Sequence, residues 1–228
     1  MRFIKDLLFP RSCVGCGAIG SFICISCQKK LIFIEKQRCF YCRKPSLYGF
    51  THPLCKKRYG VDGSVSLYVY NPFLKMLLKT AKYRLAKEAL YELLSLSISP
   101  AGLLLYSHRS PFKILPLLPI PLHISRMRSR GFNQAEVVCQ FLQTLHQETR
   151  IVDVLEKTRN TAAQAQMKSR RSRYLNMSGV FRIKKGVLPT ETLLVDDVIT
   201  TGSTIRSATE TLKRAGVRRV FAFSLGHG

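Results

Sequence analysis

The sequence predicts an α/β protein whose central β-sheet is mainly parallel and is preceded by a small cysteine-rich segment. Seven of the eight cysteines lie between residues 13 and 55, whereas the remaining chain alternates between apolar strand-like stretches and amphipathic helix-like stretches. The clearest unit lies in the last third of the chain: residues 192–195 predict a strand, residues 204–215 a helix and residues 217–224 a second strand. A strand, a crossover helix and a strand in this order form a parallel βαβ unit.

The other predicted elements follow the same alternation. Residues 65–70 predict a strand, and helical spacing of apolar residues begins at Pro72 and again over residues 86–96. Further along, the pattern predicts a buried strand over residues 114–118, an amphipathic helix over 134–145, a short strand over 151–154 and a basic helix over 169–177. A glycine-bracketed stretch near residue 60 predicts a boundary between a first domain, residues 1–60, and a second, residues 61–228.

The cysteine-rich segment predicts two zinc sites, and so a double zinc ribbon. Its cysteines occur in pairs separated by two residues, and one histidine completes a fourth pair: Cys13/Cys16, Cys24/Cys27, Cys39/Cys42 and His52/Cys55. Structural zinc takes four thiolate or imidazole ligands, and a Cys-x-x-Cys turn presents two of them close together. Order along the chain assigns the first four residues to one ion and the last four to another, although interleaved pairing satisfies the same spacing. Because no position is left for water, we expect structural zinc that supplies the folding energy of a short segment.

The composition restricts the class of partner. The chain has 37 Lys+Arg against 13 Asp+Glu, a net charge of +24, and 46% apolar residues. This apolar content excludes intrinsic disorder, and the charge predicts a polyanionic partner: nucleic acid, an acidic membrane surface or phosphorylated metabolites. No apolar stretch approaches the ~20 residues of a membrane span, and residues 1–10 lack the apolar core of a signal peptide. We therefore expect a cytoplasmic protein without a membrane span, in which disulfides and redox thiols are disfavoured.

The segment after residues 192–195 has the chemistry of a sugar-phosphate site. Two acidic residues are followed by a hydroxyl-rich turn: Asp196, Asp197, then Thr200, Thr201, Gly202, Ser203 and Thr204. Ligands of parallel α/β sheets bind at the carboxyl ends of the strands. There, hydroxyls and helix N-terminal amides cradle a phosphate, while the carboxylates accept hydrogen bonds from ribose hydroxyls or hold Mg²⁺. The alternative is an ordinary strand-to-helix turn in which Ser203 or Thr204 caps the helix.

This acidic and threonine-rich segment resembles the phosphoribosyl-pyrophosphate (PRPP) signature of type I phosphoribosyltransferases. Other segments resemble the ComF competence-protein family, which joins an N-terminal zinc ribbon to a phosphoribosyltransferase-like domain. These segments are Lys82 with Tyr83; residues 120–122 with Arg126 and residues 130–134; and residues 157–159 with Gln164, Arg170, Arg171 and Asn176. Together with the cysteine pairs, the resemblance extends from Cys13 to Ser224.

The resemblance implies a cytoplasmic accessory of natural transformation that handles incoming single-stranded DNA and associates with a DNA helicase. It also leaves open an active phosphoribosyltransferase, which would use PRPP and Mg²⁺ on an unknown acceptor, and a plain adaptor that docks a partner through its ribbon. In the transferase, Asp196 and Asp197 would hold the ribose and the metal, and residues 200–204 the phosphate. The residues expected to contact pyrophosphate or DNA are Lys82, Arg126, Arg130, Asn133 and Gln134.

Basic side chains are concentrated in two stretches. Residues 157–190 contain nine basic residues and no acidic residue. Arg126, Arg128 and Arg130 form the second stretch, in which every second residue is an arginine. Arginine suits phosphate through its bidentate fork. With Phe132, Tyr83 and Tyr174 as stacking platforms, these arginines predict a groove for single-stranded nucleic acid. A solvated basic surface without a ligand is the alternative.

Overall fold

The computed structural model describes residues 11–80, 86–97, 112, 115–160 and 179–228. The described residues form the strands β1 (Gly63–Val69), β2 (Leu117–Pro119), β3 (Leu155–Lys157), β4 (Phe181–Ile183), β5 (Glu191–Ile199) and β6 (Arg219–His227). They also form the α-helices α1 (Ile25–Gln28), α2 (Pro72–Thr80), α3 (Ala86–Leu96), α4 (Ile124–Arg130), α5 (Gln134–Leu145) and α6 (Ser203–Arg214). Two short 3-10 helices, Leu47–Gly49 and Pro53–Cys55, lie in the N-terminal segment.

A four-stranded sheet in the order β1-β6-β5-β2 forms the centre of the fold, and all three strand pairs are parallel. Successive residues of a strand face opposite sides of a sheet. Accordingly, Leu193 and Val195 of β5 pack into one buried cluster with α2, α3 and α5, while Leu194 packs into a second cluster with α6. A parallel sheet covered on both faces explains the continuous apolar run at residues 192–195. The predicted α/β fold with a central parallel sheet is confirmed.

The β5-α6-β6 unit is present as predicted, but its first strand is longer. Pairing with β6 continues through Asp196↔Ser224 to Ile199↔His227, so both acidic residues lie inside β5 rather than after it. Helix α6 then begins at Ser203, directly after Gly202, whose φ of 72° is left-handed. The acidic pair and the hydroxyl-rich turn therefore occupy the carboxyl end of the central sheet.

Two other predicted strands are shifted. The strand predicted over residues 114–118 is observed at Leu117–Pro119, where its bonds go to β5. No strand is observed over residues 151–154, so that prediction is wrong. Ile151 makes a single bridge to Leu117, and the strand in this region, β3, begins at Leu155, where β4 supplies an antiparallel partner. Helices α3 and α5 have the predicted bounds. The basic helix predicted over residues 169–177 lies outside the described residues.

The cysteine-rich segment packs directly on the α/β part. Glu92 of α3 accepts hydrogen bonds from the backbone N–H groups of Phe22 (3.0 Å) and Ile23 (2.8 Å). Phe22 and Ile23 belong to the same buried cluster as Leu74 of α2. The division at residue 60 stays a prediction, and the two parts on either side of it share core contacts.

Candidate functional site

The eight predicted metal ligands form two separate clusters. One contains Cys13, Cys16, Cys24 and Cys27, the other Cys39, Cys42, His52 and Cys55, and within each cluster all ligand atoms lie within 4.8 Å of one another. Four sulfur or nitrogen atoms at this spacing fit the tetrahedral shell of zinc. The pairing in chain order is confirmed, and interleaved pairing is excluded by this geometry. The donor sets fit two structural zinc ions, one held by four cysteines and the other by three cysteines and a histidine.

In each cluster the surroundings of one cysteine favour the thiolate that zinc requires, whereas burial raises the pKa of Cys27 to about 12 and that of Cys55 to about 11. Burial raises the pKa of the Cys13 thiol, but backbone N–H groups of Cys24, Gly15 and Cys16 outweigh it and lower the pKa to about 6. In the second cluster, backbone donors outweigh burial in the same way and lower the pKa of Cys39 to about 7. His52 Nε2 donates to the Pro45 carbonyl at 3.1 Å, which leaves Nδ1, 3.2 Å from Cys42 Sγ, as the ligand atom.

The carboxyl end of β5 holds the two acidic side chains and the hydroxyl-rich loop. The carboxylate of Asp196 accepts from the N–H of Asp197 at 2.9 Å, and that of Asp197 accepts from the N–H of Val198 at 2.8 Å. In the loop, the hydroxyls of Thr201 and Ser203 are 3.1 Å apart. The amino end of α6 follows directly and has no acidic residue in its first turn. Its positive dipole end and the loop hydroxyls are suited to an anion.

Three cations lie near one another at this end of the sheet, and one of them, Lys157, interacts with Asp196. The pKa of Lys157 in β3 is lowered to about 8, first by burial and then by the charges of Arg126 and Arg130, while the charge of Asp196 opposes the shift. Burial and the charge of Arg130 also lower the pKa of Arg126. Conversely, burial and the adjacent Asp197 raise the pKa of Asp196 well above its ordinary value, against the charge of Lys157. Helix α4 therefore brings its arginines to the acidic end of the sheet, and the repulsion among the three cations favours binding of an anion.

The second zinc turn, residues 39–43, lies against the loop between β5 and α6. A methyl group placed on Gly202 would lie 2.5 Å from the tip of the Phe40 ring. Arg43 donates to the Thr200 carbonyl at 3.4 Å and to Nε2 of His227. Sequence reasoning used the cysteines of this turn and missed the residues between and after them. The sequence did carry a signal for a contact here, because the second turn has two aromatic residues, Phe40 and Tyr41, between its cysteines, where the first turn has Val14 and Gly15.

Known proteins resemble both parts of the chain. Residues 4–58 match the family model of the double zinc ribbon domain. The chain is 29% identical over 209 residues to "Competence protein ComFC" of Streptococcus pneumoniae, which covers 90% of this chain and 87% of the relative. It is 32% identical over 161 residues to "DNA utilization protein YhgH" of Escherichia coli K12, which covers 68% of each chain. The chain belongs to the ComF family. A third relative, "Competence protein F" of Haemophilus influenzae, is 30% identical over 112 residues and 48% of each chain.

In this ComF-family chain, two residues predicted to contact a ligand are committed to internal bonds. Asn133 caps α5 by accepting from the N–H of Ala135 at 3.1 Å, and it donates to the Ile120 carbonyl at 3.0 Å. Gln134 accepts from Arg130 at 3.0 Å and donates to the Leu78 carbonyl at 3.3 Å. Both side chains are buried. Contact with a ligand stays a prediction for these two residues, and in the structure Gln134 orients Arg130.

The predicted stacking platforms fare differently. Phe132 is 7% exposed and packs in the core, with Lys87 Nζ 5.5 Å from its ring centroid, so its prediction as a base-stacking platform is wrong. The physical reason is the left-handed Gly131, which ends α4 and turns the chain inward. Several other predicted contacts of this ComF-family chain lie outside the described residues: Lys82, Tyr83, Gln164, Arg170, Arg171, Tyr174 and Asn176. Within the part of the chain that the structure describes, no helix is long and apolar enough to span a bilayer.

Proposed function

We propose that this protein is a cytoplasmic component of DNA uptake that binds single-stranded DNA during natural transformation. The observation that carries the proposal is the likeness to competence protein ComFC along 90% of the chain. The net charge of +24 supports a nucleic-acid partner, because phosphate neutralisation supplies most non-specific affinity for DNA. An associated DNA helicase is part of the same proposal and follows from the family resemblance.

Helix α4 is the best supported place for DNA contact. Arg128 and Arg130 lie in its last turn, and the Arg128 side chain is exposed. By contrast, two cations of the predicted basic stretch are already paired, Arg182 with Glu156 and Lys184 with Asp153. A strand of DNA that follows α4 would pass beside the acidic end of β5, where the sugar-phosphate loop lies.

Fluorescence anisotropy with a labelled single strand tests the DNA proposal. Each phosphate contact on a single strand contributes a slope of about −0.7 to the log–log salt dependence, so three contacts predict a roughly 20-fold loss between about 50 and 200 mM salt. Arg128→Gln should weaken binding and make this slope shallower by about 0.7. Arg218→Gln is the matched control, because Arg218 is exposed just before β6, at the other end of the sheet. Absence of binding at low salt contradicts the proposal, as does an equal loss in both variants.

We further propose that the end of β5 is a PRPP-type site in a phosphoribosyltransferase-like domain. Three observations support it: the acidic pair, the hydroxyl-rich loop before α6, and the cations beside Asp196. Asp196 and Asp197 would hold ribose hydroxyls or Mg²⁺, and residues 200–204 the 5′-phosphate. Arg126, Arg130 and Lys157 would hold the pyrophosphate.

A working transferase is the second candidate function, and the same cations favour it. In that reaction a base nitrogen loses its proton to solvent and forms a bond to the anomeric carbon of the ribose, the bond from that carbon to pyrophosphate breaks, and pyrophosphate leaves with the bonding electron pair. Neutralisation by Arg126, Arg130 and Lys157 would stabilise the leaving group. Release of pyrophosphate from PRPP and Mg²⁺ in the presence of each nucleobase measures this activity. Turnover supports an enzyme if the double substitution Asp196→Asn with Asp197→Asn abolishes it. Release of pyrophosphate no faster than the uncatalysed background with every base contradicts an enzyme.

A further inference from the structure

The aromatic side chain inside the second zinc turn fills the space that Gly202 leaves open. A Cβ at Gly202 would meet the Phe40 ring at 2.5, 2.9 and 3.4 Å. Phe40 is 1% exposed and belongs to the same buried cluster as Ile199 and Ile205, the residues on either side of the loop. Two features therefore favour glycine at position 202: its left-handed φ of 72°, and the Phe40 ring that occupies the space of a side chain.

The neighbours of Phe40 extend this contact to both ends of the loop. The Arg206 guanidinium, in the first turns of α6, lies 5.3 Å from the ring centroids of Phe40 and Tyr41. Its Nε is buried without a hydrogen-bond partner among the described residues, so these cation–π contacts hold the side chain. At the other end, Arg43 donates to the Thr200 carbonyl at 3.4 Å.

Arg43 also joins the zinc turn to the end of the central strand. Burial lowers the pKa of His227 to about 4, and the charges of Arg43 and Arg38 contribute, so the imidazole is neutral at pH 7 and accepts from Arg43. Arg43 has a φ of 63°, which is uncommon for a residue with a side chain. Its N–H donates to the Cys39 carbonyl at 3.0 Å, which closes the turn around the metal ligands. Arg43 is thus held in a strained conformation by the zinc turn and is hydrogen-bonded to the loop after β5. This arrangement indicates that the zinc turn supports the loop.

We propose that zinc in the second site positions the loop of residues 200–203 through Phe40, so that metal occupancy and anion binding at this loop are coupled. The identity of the anion rests on the proposed PRPP-type site, whereas the ordering of the loop by the zinc turn does not. Because coupling between two sites is reciprocal, an anion that orders the loop also raises the affinity of the second site for zinc. Phe40 is a positioning residue in this scheme and contacts neither zinc nor anion.

Hydrogen exchange of the loop amides in Phe40→Ala measures the positioning without any ligand. We expect the variant to retain both zinc ions and its loop amides to exchange at least about tenfold faster. Val14→Ala is the matched control, because Val14 occupies the equivalent position in the first zinc turn. It should retain both zinc ions and leave exchange of the loop unchanged. Unchanged loop exchange in a zinc-replete Phe40→Ala overturns the proposal.

A double-mutant cycle tests whether the Phe40 ring itself contacts the loop. It remains informative when Phe40→Ala lowers the unfolding midpoint, because it compares differences between midpoints. Gly202→Ala places a methyl group against the Phe40 ring, and this clash is absent when Phe40 is alanine. The loss of unfolding midpoint caused by Gly202→Ala should therefore be smaller in the Phe40→Ala background than in the wild type. Equal losses in both backgrounds overturn direct contact.

The reciprocal effect separates this inference from the identity of the anion. Zinc affinity is measured by equilibrium competition with a chelator for the wild type, with and without PRPP and Mg²⁺, and PRPP should raise the affinity of one of the two zinc sites. In Phe40→Ala, PRPP should no longer change the affinity for zinc. Faster loop exchange in Phe40→Ala without any effect of PRPP on zinc affinity supports the positioning and contradicts PRPP as the ligand. A PRPP effect that persists unchanged in Phe40→Ala overturns the coupling.

Discussion

The first zinc turn, residues 13–17, and the second, residues 39–43, share one backbone conformation. In each, the residue after the second cysteine is left-handed, Gly17 at a φ of 79° and Arg43 at 63°. In each, that residue donates its N–H to the first cysteine's carbonyl, at 2.8 Å and 3.0 Å. The turns differ in their side chains: the first carries Val and Gly between its cysteines and Gly after them, the second Phe, Tyr and Arg.

This difference in side chains accompanies a difference in what each turn contacts. A Cβ on Gly15 would lie 2.7 Å from the ring of Phe73, so the first turn packs closely against α2. The chain that follows is fastened to α3 by Glu92. The second turn instead contacts Gly202 and Thr200 at the end of the sheet. Two similar metal turns thus have separate roles, one in attaching the ribbon and one in supporting the candidate site.

The largest expected effect comes from removing a zinc ligand in each turn. Cys13→Ser and Cys39→Ser should each lose one zinc ion, and with it an apparent binding free energy of roughly 10 kcal/mol or more. Both variants should be strongly destabilised, but only Cys39→Ser should disorder the loop of residues 200–203 under conditions in which the sheet remains folded. Zinc content and hydrogen exchange of the loop measure the two effects. Equal loop exchange in the two variants would remove the distinction between the turns.

The attachment role of the first ribbon is tested at α3. Glu92→Ala leaves the N–H groups of Phe22 and Ile23 without their carboxylate, and we expect a loss of about 2 kcal/mol in the free energy of unfolding. Denaturant unfolding measures it, and Glu92→Gln, which keeps one acceptor oxygen, should recover part of the loss. Affinity for anions should not change in either variant. A loss of anion affinity in folded Glu92→Ala would mean that the first ribbon also supports the site.

The cations beside Asp196 give a pH dependence that is independent of both zinc turns. The pKa of Lys157 is about 8 in the folded chain and 10.5 as its ordinary value, so between these pH values the unfolded chain binds more protons and stability rises with pH. Affinity for an anion should fall over the same range as Lys157 loses its charge. Lys157→Gln should abolish both trends and weaken anion binding roughly tenfold at pH 7. Trends that persist in the variant would assign them to another group.

The smallest expected effect on stability belongs to Arg43→Gly, which gives the second turn the glycine of the first. Relief of the left-handed conformation is worth about 1 kcal/mol, and loss of the bonds to Thr200 and His227 offsets it by a similar amount. The free energy of unfolding should therefore change by less than about 1 kcal/mol, whereas loop exchange should accelerate. A clear gain in stability without any effect on the loop would show that Arg43 contributes only strain.

Local patterns in the sequence were sufficient for the metal ligands and for most elements. The ligand pairs depend on spacing within single turns, and α3 and α5 depend on apolar periodicity, so both were predicted correctly. The length of β5 was not predictable in this way, because its last residues are in a strand only through pairing with β6. The acidic pair was recognised from the sequence, but its position inside β5 follows only from the register of β5 with β6.

The candidate site was only partly predictable because its supports come from distant parts of the chain. Phe40 meets Gly202 and Lys157 approaches Asp196 through tertiary packing, and spacing along the sequence carries no signal for either contact. Phe132 was expected at a surface because it is an aromatic residue beside arginines. The turn at Gly131 directs it into the core instead, which periodicity alone does not reveal.

Calorimetric titration with PRPP and Mg²⁺ tests most directly the claim that the end of β5 is a sugar-phosphate site supported by the second zinc turn. The wild type and Val14→Ala should bind PRPP with the same affinity, and Asp196→Asn with Asp197→Asn should show no binding. Phe40→Ala, with both zinc ions retained, should bind about tenfold more weakly or worse. Absence of binding by the wild type, or equal affinities of Phe40→Ala and Val14→Ala, would contradict the account.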